Sequence, residues 1–398
     1  MANNNKHTGP NVPALRFPEF SGEWESRTIG DDCKILMCKR IFANQTTPEG
    51  EVPFYKIGTI GDKADAYISK KLFEEYKQRY NYPKCGEVMI TCAGTVGKTI
   101  LYNGQDAYYQ DSNIVWISNP RKIYSNEFLN YLLNRVDWSK LNSTTITRIY
   151  NDNLRELHIT FPSREEQDKI VSLLTRIDDR IDTQSKIIKE LTALRSALHQ
   201  GIMSTGLEDG SWRMQTLAEV LYERTELNNE GHAVHSVSVS KGIVNQIEYL
   251  GRSFAAKDTS RYHVAYPGDV IYTKSPTGEF PYGIVKQSQI SIKAALSPLY
   301  GVYVPISPEI GYIIHNHFLS SKNALNYLHP LIQKGAKNTI NITNQRFLKN
   351  SMPLPTNKNA ALLYYNAIKT VSDKIILEEM VMEKIQSQKS FLLKTMFI

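Results

Sequence analysis

Apolar residues along this chain form two kinds of pattern, and each pattern occurs twice. From Glu165 to Met203 they step by four and three: Ile170, Leu174, Ile177 and Ile181, then, beyond Gln184, Ile188, Leu191 and Leu198. From Asn359 to the C-terminus the same steps give Ile368, Val371 and Ile375, then, beyond Glu378, Met382, Ile385 and Leu392. Both stretches follow a proline, contain none themselves and have almost no glycine. They therefore predict helices on the order of 60 Å long at 1.5 Å per residue. The spacing is the heptad seam of a coiled coil rather than the broader face of a helix lying on a domain. Polar residues interrupt both seams at matching places, Gln184 with Glu378 and Arg195 with Lys389.

The remaining chain is mixed, rich in Thr, Val, Ile and Tyr and punctuated by Gly and Pro, which reads as short strands and loops. It also repeats. Ser21-Gly22-Glu23-Trp24 returns as Asp209-Gly210-Ser211-Trp212, and Gly86-Glu87-Val88 as Gly268-Asp269-Val270. Ile149-Tyr150-Asn151 through Phe161-Pro162 matches Ile342-Thr343-Asn344 through Leu354-Pro355, and Arg195–Leu198 matches Lys389–Leu392. These matches are collinear, so the chain predicts an α+β protein with a pseudo-two-fold internal repeat. The expected parts are an N-terminal arm (1–19), a first mixed domain (20–162), a central long helix (163–206), a second mixed domain (207–355) and a C-terminal long helix (356–398).

Charge, and the helix length the second mixed domain would have to span in a parallel pair, both bear on the direction of the helix pair. A parallel pair in repeat register would set Arg195 beside Lys389, two like charges on one seam. An antiparallel two-helix coiled coil avoids this and keeps Gln184 near Glu378, so antiparallel is the expectation.

With 398 residues the chain is too long for one ordinary core, and its formal charge of +7 favours an anionic partner. The opening Met1–His7 has no apolar run and no long apolar stretch follows, so a cytoplasmic protein without a membrane partner is expected. Cys33, Cys38, Cys85 and Cys92 lack the two-residue spacing of common zinc knuckles, and no metal is expected.

Several motifs tempt a catalytic reading. Met89 to Thr99 contains Gly94-Thr95-Val96-Gly97-Lys98-Thr99, close to a phosphate-binding P-loop, but Cys92 stands where the turn needs glycine. His315-Asn316-His317 spells a nuclease name without its separate elements, and Asn119-Pro120-Arg121 lacks the parts of an adenine-holding amino-methyltransferase loop. No catalytic residue is assigned.

Binding chemistry is better supplied. Reading base edges needs Arg, Lys, Asn and Gln with Ser and Thr beside them. Asn142–Arg148 and Gln333–Thr339 are such stretches, each just before the matched Ile-x-Asn of its repeat. The candidate DNA-binding residues are Thr95, Lys98, Thr144, Thr145, Thr147 and Arg148 in the first repeat. In the second they are Lys274, Thr277, Lys334, Lys337 and Asn338.

These features resemble a known family. Pro13-Ala14-Leu15-Arg16-Phe17-Pro18-Glu19-Phe20 with Trp24 is similar to the opening of type I restriction–modification specificity subunits. Gly94–Lys98, the junction Phe161-Pro162-Ser163-Arg164-Glu165-Glu166-Gln167 and the ending Lys389–Phe397 resemble further pieces of that family. The second half departs from it: Leu354-Pro355-Thr356-Asn357-Lys358-Asn359-Ala360 has no Glu-Gln pair, and Ser275-Pro276-Thr277-Gly278-Glu279 replaces the Gly-Thr-x-Gly-Lys run.

The resemblance implies a non-catalytic subunit with two target-recognition domains, each reading half of a split double-stranded DNA target across a gap set by the helices. It implies two methyltransferase (modification) subunits and restriction/translocase subunits as partners. S-adenosylmethionine, ATP and magnesium would then belong to those partners, with no cofactor in this chain. The competing expectations are a P-loop-like nucleotide-binding protein with a coiled-coil dimerisation arm, and a coiled-coil scaffold without DNA.

Overall fold

The computed structural model describes residues 11–141, 148–252, 255–334 and 340–398. The chain divides into two units, Met1–Ser185 with Val381–Ile398, and Lys186–Met380.

In the first unit a four-stranded antiparallel sheet runs in the order Lys34–Leu36, Ile114–Ser118, Val88–Thr91, Thr99–Leu101. One face is covered by the helix Asn126–Leu133, whose Phe128, Leu129, Leu132 and Leu133 are buried in a shared core. That helix starts where it does because the Ser125 hydroxyl accepts from Phe128 N at 2.9 Å, satisfying one free N–H of the first turn. A second core holds Phe54, Phe73, Tyr108 and Trp116 beside the small sheet of Val52–Tyr55, Tyr67–Ile68 and Tyr108–Tyr109. The unit closes on a ladder of Glu25–Thr28 with His158–Phe161, which delivers Pro162 to the first long helix.

The second unit repeats this plan. Its four-stranded sheet runs Leu221–Glu223, Gly301–Pro305, Val270–Tyr272, Val285–Gln287, again antiparallel throughout. Its closing ladder pairs Trp212–Thr216 with Ser351–Pro355. The repeat extends to single hydrogen bonds. The Glu87 carboxylate accepts from Lys84 N, and the Asp269 carboxylate from Tyr266 N, both at 2.8 Å, in the turn before the matched strand.

The long helices span Arg164–Asp209 and Lys358–Thr395. In the first unit Ile170, Leu174 and Ile177 share a core with Ile385, Leu392 and Met396, and Ile181 packs against it. In the second, Leu198, Ile202 and Met203 pack against a core holding Ala361, Tyr364 and Ile368. Start meets end in one unit and end meets start in the other, so the pairing is antiparallel. Of the remaining seam positions, Gln184 and Ile375 are buried, while Ile188, Leu191, Val371, Glu378 and Met382 are half-buried.

Two helix limits differ from expectation. The first helix continues past Met203 and through Gly206 to Asp209; the glycine there seats the Trp212 indole, since a Cβ would stand 2.1 Å from the ring. The second stops at Thr395, and Met396 and Phe397 turn into the first unit's core, where Phe397 stacks on Phe128 at 5.1 Å between centroids.

The unequal junctions also find an explanation. In the first unit Glu166 is gripped by Arg16 of the N-terminal arm, at 2.8 Å from Nε and 2.7 Å from Nη2. Gln167 accepts from Ser125 N at 2.8 Å and donates to Pro162 O at 2.9 Å and Ile123 O at 3.1 Å. In the second unit the Gln215 amide, from the neighbouring strand, donates to Leu354 O and Pro355 O at 3.1 Å. A glutamine still satisfies the carbonyls at the helix entrance, but it arrives from a different element.

Candidate nucleic-acid interface

Strand register decides which loops share an end of each sheet. In the first unit Leu36 pairs with Trp116, Thr91 with Ile114 and Ile90 with Thr99. The segments after Leu36, between Thr91 and Thr99, and before Ile114 therefore emerge together. The segment ending the 142–148 loop joins them, since Ile149 N donates to Cys92 O at 2.9 Å and Arg148 Nη2 to Ser112 O at 3.4 Å. Arg148 also lies over the exposed Tyr150 ring, 5.8 Å from its centroid.

Thr95 is exposed at this end, in the Cys92–Lys98 turn. The turn joins two antiparallel strands, whereas a P-loop leads from a strand into a helix. Gly97 has φ +82, and the Trp138 indole fills the space where a Cβ would lie, so the position admits only glycine on both counts. Lys98 is exposed, and its Nζ donates to Ile60 O at 2.6 Å, tying the turn to the neighbouring loop. These glycines and this lysine therefore shape the loop end rather than cradle a phosphate. Thr144, Thr145 and Thr147 lie outside the described residues.

In the second unit Glu223 pairs with Tyr303, and Tyr272 with both Gly301 and Val285. The segments leaving Glu223, joining Tyr272 to Val285 and preceding Gly301 share the corresponding end. Lys274 is there, half-buried, its ammonium held below the usual value by burial with Glu223 opposing the shift. Thr277 is exposed at a tight turn, exchanging backbone hydrogen bonds of 3.0 and 2.9 Å with Phe280. Lys334 lies in the strand Gln333–Lys334, paired with Ile340–Asn341. Lys337 and Asn338 lie outside the described residues.

The first sheet end gathers polar groups that the sequence motifs did not mark. In the first unit Arg40 Nε donates to Asp111 Oδ2 at 2.8 Å, beside the exposed Phe42. In the second unit Arg224 instead binds Asp269 twice, at 2.7 and 3.0 Å, and stacks on Tyr266; Asp269 precedes Val270, at the opposite end of that strand from Tyr272. The signal for Arg40 is an arginine shortly after the first sheet strand, visible only once the strands are aligned.

Burial pushes Cys33 and Cys38 up to about 12 and Cys92 up to about 11, so all three stay protonated. Among the described residues, no helix is long and apolar enough to cross a membrane.

Comparison with known proteins agrees with this picture. Residues 21–193 match the type I restriction modification DNA specificity domain. A type I restriction enzyme specificity subunit of Haemophilus influenzae is 46% identical over 162 residues, 41% of each chain. The MjaX specificity subunit of Methanocaldococcus jannaschii is 23% identical over 290 residues, 67% of this chain and 66% of that one. The matches thus span 41% and 66% of these relatives' own lengths. The crystal structure of a type I restriction–modification S subunit from M. genitalium shares the fold, with a TM-score of 0.62 at 14% identity, covering 97% of this chain and 99% of that one. Residues 21–193 thus match a type I restriction modification DNA specificity domain, and the fold shared with that S subunit runs through nearly the whole chain.

Proposed function

We propose that this chain is the non-catalytic, DNA-reading subunit of a cytoplasmic type I restriction–modification enzyme, each unit reading one half of a split duplex target. The observation that carries the reading is the repeated sheet end. Two four-stranded sheets of the same order each carry cationic and hydroxyl side chains on the loops at one end, Arg40, Thr95, Lys98 and Arg148 in the first and Lys274 and Thr277 in the second. Contacts from lysine and arginine to phosphate would supply affinity, and donors and acceptors aimed at base edges would supply sequence choice. Methylation and cleavage would be the work of two modification subunits and the restriction/translocase subunits. S-adenosylmethionine, ATP and magnesium would bind there.

The test is methylome sequencing of the host strain with and without this gene. The expected result is one bipartite methylated motif that disappears with the gene. An identical methylome in both strains would overturn the proposal.

A further inference from the structure

At the loop end of the first unit's sheet lies a pocket of about 340 Å³. Its floor is apolar, with Ile41, Phe54 and Ala66 buried, and Phe42 stands at the rim 59% exposed. Arg40 and Asp111 share that pocket. The guanidinium spends only Nε on the Asp111 carboxylate, at 2.8 Å, and the Arg40 side chain is 59% exposed. Both Nη groups are without a partner among the described residues. The Asp111 side is firmly placed. Asn113 N donates to Asp111 O at 2.6 Å, Ile114 N to Gln110 O at 3.2 Å, and Ser112 is held at φ +55. Arg148 approaches the same turn from its other side, through Ser112 O.

An arginine fork held by one nitrogen and open at the other two is the geometry that meets guanine O6 and N7 with paired donors. A phosphate site would look different. Here both cations of the pocket already have a carboxylate, Arg40 with Asp111 and Lys56 with Asp65 at 2.9 Å. Such pairs leave little net charge to attract a phosphate, while the exposed Phe42 ring at the rim suits a base. Arg224, which directly follows the first sheet strand of the second unit, turns two nitrogens onto Asp269 and its face onto Tyr266, so it is committed to the fold.

We infer that Arg40, oriented by Asp111, reads a guanine edge in the major groove of one half-target. The inference rests on the DNA-reading role proposed above and names one residue that carries it.

The experiment uses the full chain assembled with its modification subunits. The motif is first determined by methylome sequencing. Binding is then measured to duplexes carrying that motif or single base-pair replacements in it, over a range of salt. The wild-type complex should prefer one particular G·C pair by roughly tenfold or more. Arg40→Ala should erase that preference and leave the other half-target and the salt dependence unchanged. Asp111→Ala should narrow the same preference while strengthening binding to non-target duplex, because it removes a negative charge and frees the fork. Uniform weakening by Arg40→Ala on every duplex, with a flatter salt dependence, would identify a phosphate contact and overturn the inference. Unchanged discrimination at every position would overturn it too. A wild-type complex that selects no sequence would instead sink the functional reading beneath it.

Discussion

Lys389 Nζ lies 2.5 Å from Asp178 Oδ1, joining the last turns of the second long helix to the first half of the other. The same carboxylate accepts from Tyr131 OH at 2.6 Å, so Asp178 ties the seam to the sheet-covering region of the first unit. A parallel pairing in repeat register would have set Lys389 against Arg195. Reversing one helix turns that repulsion into an ion pair.

Removing either partner should therefore have unequal effects. Lys389→Met loses a half-exposed ion pair worth roughly 0.5–1 kcal/mol. Asp178→Leu also strands the Tyr131 hydroxyl and should cost roughly 1–2 kcal/mol more. Denaturant unfolding of the two variants checks the order, and equal losses would deny Asp178 its second role.

The two junction glutamines should both matter for stability although they come from different elements. Gln167→Ala leaves Ser125 N and two carbonyls without their partner, and Gln215→Ala leaves the carbonyls of Leu354 and Pro355. Each should cost on the order of 2–3 kcal/mol, the first more than the second because one more group is stranded. Limited proteolysis should detect loosening confined to the unit that carries the substitution.

Gly97 and Gly210 separate packing from backbone strain. Both have positive φ, +82 and +78, but a Cβ at Gly97 would stand 2.1 Å from Trp138, while nothing lies within 4 Å at Gly210. Gly210→Ala should cost about 1 kcal/mol and Gly97→Ala roughly 2–4 kcal/mol. Chemical denaturation with tryptophan fluorescence reads both. A larger loss at Gly210 would contradict the Trp138 packing.

Acid should destabilise the second unit first. Burial holds His199 down to about 4, helped by Arg195, and holds His315 to about 3, helped by Lys286 and Arg195. His317 sits at about 3, from burial and then from His199. Unfolded, each would titrate near 6.5. The unfolded chain thus binds more protons between about pH 6.5 and 3. The stability from keeping these rings neutral is complete above that window and is lost as pH falls through it. The unfolding midpoint should drop from pH 7 to 5.5, before most carboxylates titrate, and His317→Leu should flatten that slope. An unchanged slope in the variant would show that His317 is not among the groups responsible.

Much of this molecule was legible in the order of its residues. The seam from Ile170 to Leu198 and from Ile368 to Leu392 follows from helical period, a local property that needs no tertiary contact to be seen. The repeat follows from collinear matches, and the antiparallel direction follows from the like charges Arg195 and Lys389. Thr95, Lys98, Arg148, Lys274 and Thr277 were marked by residue type, and strand register gathers each set at one sheet end. Only the folded chain could show that Arg40 meets Asp111, 71 residues away, because that pairing depends on how the Leu36 and Ile114 ends align across the sheet. It also decided that Gly206 continues a helix instead of ending it, and that Gln215 takes the place of a missing junction residue. In each case the deciding group approaches from another element. Periodicity records what a residue does to its own helix or strand, and carries no account of what will be packed against it.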